Sequence, residues 1–174
     1  MKATSFLRLL PDTDFAWALM PEFKRRVREF VAQNLPSTDP ESVVYDTVTK
    51  WTSMPLTTGY WLAFHETKPV AHMTSWIIES YGKPFVFIYQ ANVDEGYSLG
   101  GVQRAIFSDM DRWVTQLNLL IPDGRPKITK GELSTWRDSD SMAKYFTATG
   151  REAVKARSVI EFSVGSTAPK LIIE

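Results

Sequence analysis

Two histidines, His65 and His72, are spaced as a pair that could do chemistry. They flank Lys68-Pro69, and a tight turn there would set them opposite each other on paired strands, where two imidazoles can share a metal ion. No third ligand accompanies them, so no metal is expected and the pair reads as structural. Nucleophilic chemistry has as little support. The chain has no Cys, which removes thiolate nucleophiles, disulfides and thiolate metal sites together. No Ser sits in a nucleophile-elbow pattern, and no phosphate-cradling Lys motif occurs. What remains is a loop, Asp94 to Gly101, with glycines at 96, 100 and 101, leading into a long apolar-periodic segment from Val102.

The elements around that loop follow from periodicity. Ser5 to Leu10 reads as a first strand. Pro11-Asp12-Thr13-Asp14 supplies helix-start chemistry, and Phe15, Leu19, Phe23, Val27 and Phe30 recur at helical spacing. Pro21 interrupts that pattern and is expected to end one short helix and open the next, because an interior proline costs about 3 kcal/mol. Val43, Val44, Val48 and Trp51 mark a further helix. Then the period changes: Gly59 to Glu66, Val70 to Glu79 and Phe85 to Val93 read as an antiparallel meander with turns at Thr67-Lys68-Pro69 and Tyr81-Gly82-Lys83-Pro84. A helix with Val102, Ile106, Trp113 and Leu117 on one face follows, then a strand over 127–134. Asp138 to about Ala148 is expected to be helical, Glu152 to Val164 a strand and Lys170 to Ile173 an edge strand.

Composition bounds the function classes. A length of 174 residues, 44% hydrophobic and 23% charged, fits one globular domain spanning 1–174. Twenty Lys plus Arg balance twenty Asp plus Glu, so no global field draws in nucleic acid or an anionic membrane. The densest basic stretch, Glu22 to Glu29, reads as the solvated face of a helix. No apolar run approaches the ~18 residues of a membrane span, and the first ten residues lack the pattern of a signal peptide. These features fit a cytoplasmic protein. Of the 6 Trp, Trp51, Trp61, Trp76 and Trp113 fall on apolar faces and read as core. Trp17 and Trp136 lie near element ends, where they could line a cleft or an interface.

The order of strand, two helices, three-strand meander, helix, strand, helix and final strands resembles the GNAT superfamily of acetyl-CoA-dependent N-acyltransferases. Two segments carry the likeness: Gln90 to Phe107, and Met142 to Glu152. The resemblance implies an α/β (α+β) fold with a mixed, mostly antiparallel sheet of six to seven strands and about four helices. It implies that the backbone of Ala91, Asn92 and Val93 pairs with the pantetheine arm of acetyl-CoA as a strand would. The diphosphate would lie over Ser98, Leu99, Gly100, Gly101, Val102, Gln103 and Arg104, at the start of the following helix. The family pattern places Arg or Gln, Gly, and Gly or Ala at the positions held here by Ser98, Gly101 and Gln103, so only the middle one fits. Ser98 offers no charge, and Asp94 and Glu95 bring two carboxylates to the mouth of the site.

The second segment departs from the family as well. The family's Tyr, which acts as general acid on the leaving thiolate, corresponds to Phe146, which has no proton to give. Tyr145 is adjacent but rotated roughly 100° around a helix, so a packing role competes with an acid role. The base would be a carboxylate on a central strand: Glu132 is the first candidate, Glu79 and Tyr89 follow. The implied activity is acetyl transfer from acetyl-CoA to a small-molecule, peptide or protein amine. The degenerate positions also suit a GNAT-like domain that has lost catalysis and serves a binding or structural role, as in some bacteriophage-encoded proteins. In that case its exposed Trp and basic-helix surface would meet a homodimer or assembly partner.

Overall fold

The computed structural model describes residues 1–134, 146–147, 153–156 and 159–164. Its elements run β1 (Ser5–Arg8), α1 (Asp14–Asn34), α2 (Pro40–Ser53), β2 (Thr58–His65), β3 (Lys68–Ser80), β4 (Lys83–Val93), α3 (Val102–Leu120), β5 (Lys130–Ser134), β6 (Ala153–Ala156) and β7 (Val159–Ser163). The expected fourth helix over 138–148 and the edge strand over 170–173 lie outside the described residues, apart from Phe146 and Thr147, which are helical. The chain divides into two compact units: residues 1–77 with 88–103, and residues 78–87 with 104–174. β4 is shared between them by sequence. Strands follow the order β1-β2-β3-β4 in the first unit and β4-β5-β7-β6 in the second. The ladders of β1 with β2, β2 with β3, β5 with β7 and β6 with β7 are antiparallel. Helix α3 connects β4 to its neighbour β5, the kind of connection that lets adjacent strands run parallel.

In the first unit α1 and α2 cover one face of the meander. α1 starts where Thr13 accepts from the Ala16 amide, and α2 where Asp39 accepts from Glu41 and Ser42 with Pro40 in the first turn. The buried stripe of α1 is Ala16, Met20, Phe23, Val27 and Val31, rotated from the one expected, so that Phe15 is exposed. Pro21 does not divide the helix. Its ring lies on the exposed side, where water can satisfy the carbonyl that loses its donor, while the stripe stays buried on both sides of the break. Trp51 donates from Nε1 to the Leu9 carbonyl at 3.0 Å and Tyr60 from its hydroxyl to the Thr47 carbonyl at 2.6 Å. Each buried large side chain of this cluster contributes about 1.5–3 kcal/mol.

Two turns and one pairing refine the expected meander. Tyr81 and Gly82, both at positive φ, form a two-residue hairpin turn between β3 and β4. Glu66 and Thr67 form the turn between β2 and β3, two residues before the expected Lys68-Pro69, so His65 pairs with Lys68, while His72, beyond a register shift at Ala63 and Phe64, pairs with Leu62. The two histidines are therefore not cross-strand partners. In the second unit the segment expected as one strand over 152–164 is instead the pair β6 and β7, with Ala156 opposite Val159.

Candidate active site

The loop between β4 and α3 is held by backbone bonds on all sides. The Asp94 amide donates to the Val70 carbonyl at 2.9 Å and the Tyr97 amide to Asp94 at 3.1 Å. The Ser98 amide donates to Met1 at 2.9 Å, and Ala3 donates back to Ser98 at 2.8 Å. The Val102 amide closes the last turn on Leu99 at 3.1 Å. Gly100 has φ +54° and lies under the aliphatic stem of Lys2, whose Cδ would come within 3.3 Å of an added Cβ. A side chain there would be strained by its backbone and would displace Lys2.

Helix α3 begins differently from α1 and α2. Gly101 precedes it and has no side chain that could accept from the first-turn amides, and that turn contains no acidic residue. Those amides have no partner within the helix by geometry, and they carry the positive end of its dipole. Ala91 at the end of β4 is exposed, and Asn92 and Val93 are half-buried. Gln103 is half-buried and Arg104 exposed.

The electrostatics of this corner differ from those expected from the loop alone. Asp94 is paired with Arg26: Nη1 to Oδ1 at 2.8 Å and Nη2 to Oδ2 at 3.0 Å. Arg26 also donates to Glu22 at 2.9 Å and to the Pro69 carbonyl at 2.5 Å, with its side chain only 1% exposed. Arg26 is thus no part of a solvated basic face, and Asp94 is not a free charge repelling an anion. Lys2 is bridged through its backbone to Ser98, and its aliphatic stem lies beside Gly100. The Lys68 ammonium stands over the Tyr97 ring at 5.2 Å, and the His65 ring lies 5.7 Å from that same ring. Lys2 is remote from the loop in sequence, and only strand pairing brings it there.

Inside the same unit, His72 is buried between Phe23 and Phe30, each at 6.2 Å. Burial pushes its pKa down to about 4, with the Arg26 charge adding to the effect and Gln90, Asp94 and Glu22 opposing it. The Gln90 amide lies beside the ring, yet neither imidazole nitrogen completes a well-aligned hydrogen bond. Tyr89 stacks on Trp76 with centroids 4.4 Å apart. Burial first, and then the Asp46 charge, raise its pKa, which opposes its use as a base near neutrality.

Of the other expected residues, Glu132 is half-buried on β5, in register with Glu161 of β7. Glu79 is exposed at the end of β3. Tyr145 lies outside the described residues. Phe146 is fully buried, its ring edge-on to Phe107 at 5.3 Å. Among the described residues no three His, Asp or Glu side chains group as metal ligands, and no helix is long and apolar enough to cross a membrane.

Solved structures share this architecture. Arabidopsis thaliana NAA60 with a bisubstrate analogue superimposes with a TM-score of 0.57 at 12% identity, covering 91% of this chain and 97% of that one. The aminoglycoside acetyltransferase AAC(6')-Iy with a CoA-based bisubstrate analogue gives 0.58 at 14%, covering 87% and 92%. An acetyltransferase from Thermus thermophilus gives 0.56 at 14%, covering 94% and 98%. The fold is the GNAT fold. At these identities the likeness is one of GNAT architecture alone, and no protein-family model or curated protein matches the sequence.

Proposed function

We propose that this GNAT-fold chain binds acetyl-CoA and transfers its acetyl group to an amine. The observation that carries the reading is the glycine entry to α3. It leaves first-turn amides without a side-chain cap, next to an exposed strand end and the Lys2 side chain. The backbone of Ala91, Asn92 and Val93 holds the pantetheine arm. The amides of Ser98 to Arg104 hold the diphosphate, with Lys2 supplying the cation the loop itself lacks. The pairing of Asp94 with Arg26 removes one of two charges that would oppose an anion, leaving the exposed Glu95.

In the reaction the acceptor nitrogen forms an amide bond to the acetyl carbon while the thioester C–S bond breaks. The amine proton passes to a base, for which the sequence offers Glu132 as candidate, and CoA leaves as a thiolate that takes up a proton. A second reading, a binding protein without catalysis, has one observation in its favour: the position of the family's acid is a core phenylalanine, Phe146.

Calorimetry tests the binding step. Acetyl-CoA should bind at one site per chain, and Gly101→Glu, which puts a competing carboxylate at the helix start, should weaken binding about tenfold with the fold intact. No heat at millimolar acetyl-CoA rejects the proposal. Binding without thiol release in the presence of any amine supports the non-catalytic reading instead.

A further inference from the structure

Trp76, Tyr89, Asp46 and Lys50 come together within the first unit from β3, β4 and α2. The Trp76 and Tyr89 rings stack nearly parallel, 17° apart. The Lys50 ammonium lies 3.8 Å from the centre of the Trp76 ring. Phenol and ammonium both lie against the same indole. The same ammonium is 2.6 Å from Asp46 Oδ2. An aromatic plate and a carboxylate thus converge on one alkylammonium, the recognition chemistry proteins use for cationic ligands. Here the chain's own lysine supplies that cation.

Two features make the occupant exchangeable. Asp46 is 54% and Lys50 35% exposed, and a pair so open to water is held weakly. Lys50 is also tethered to its carboxylate only one helical turn away, so its side chain can swing to solvent without disturbing α2. The plate itself is fixed: Tyr89 packs against the core that includes Trp51 and Tyr60. Tyr89 stands two residues before Ala91, about 7 Å along the strand.

We propose that this cluster is a seat for a primary alkylammonium of the acceptor, which displaces Lys50 from Trp76 and Asp46. The assignment as an acceptor site rests on the acetyl-transfer reading. The ligand class is an amine with a second cationic group that stays charged while the first reacts. Binding at the seat is a displacement, so the variant lacking Lys50 should bind more tightly, an effect that a purely structural ion pair would not produce.

Calorimetry at low salt with 1,5-diaminopentane tests the seat, and Nα-acetyl-lysine amide as a second probe separates a free polyamine from a peptide lysine. Lys50→Met should tighten diamine binding about three- to tenfold, and Asp46→Asn should weaken it at least about tenfold. Pentanol, which has the chain without the charge, should give no heat. Unchanged or weaker diamine binding by Lys50→Met overturns the proposal, as does the absence of heat in every variant at tens of millimolar. Under turnover, Asp46→Asn should raise KM for the diamine with kcat retained. If acetyl-CoA binds but the diamine does not, only this inference falls. If the diamine binds as described but acetyl-CoA does not, the seat stands and acetyl transfer falls.

Discussion

Two cation–carboxylate pairs in the first unit use similar groups under opposite conditions. Arg26 and Asp94 join residues 68 apart in sequence, in a bidentate contact with the guanidinium almost completely buried. Lys50 and Asp46 sit one helical turn apart at the surface, joined by a single contact. The first pair ties α1 to the start of the β4–α3 loop and cannot exchange its partner without exposing a charge to the interior. The second joins two residues of α2 alone, open to water, with Lys50 also over the Trp76 ring. Within one sheet-and-helix layer, burial separates a pair locked by its surroundings from a pair open to water.

The sharpest way to break this comparison is at Arg26. Arg26→Met should cost about 3–5 kcal/mol in chemical denaturation, because it strands the Asp94 carboxylate and the Pro69 carbonyl. A loss below about 1 kcal/mol would put this pair in the same class as the surface one. Next in size is acid sensitivity. His72 has a folded pKa of about 4 against an ordinary 6.5, so the unfolded chain binds more protons between those values. Stability from this group is complete above about pH 6.5 and is lost as pH falls toward 4, by about 3 kcal/mol in all. His72→Leu should flatten that part of the pH profile, and an unchanged profile would show that the imidazole is solvated. The smallest effect belongs to the open pair: Lys50→Met should shift stability by less than about 1 kcal/mol, and 1 M salt should erase even that difference.

Local patterns make much of the architecture readable from sequence. Strand runs, turn residues and the glycines before Val102 each act within a few positions, so the meander and the entry to α3 follow from them. What stays illegible depends on distant partners. Arg26 reads as solvated among Lys24, Arg25 and Arg28, though it falls three residues after Phe23 and four before Phe30, a spacing that puts it on the buried side. Its partner is on another element. Lys2 reaches Gly100 only through strand pairing, and the cluster around Trp76 draws on three separate elements. Pro21 stays inside α1 because the tertiary packing on either side of it outweighs its local penalty. The hairpin of β6 and β7 is hidden inside a continuous run of strand-forming residues.

Backbone amide NMR during an acetyl-CoA titration tests the central claim most directly. Saturable shifts should concentrate at Ala91 to Val93 and Leu99 to Arg104, with the helix starts at Thr13 and Asp39 unmoved. Shifts centred elsewhere, or none at millimolar ligand, would contradict it.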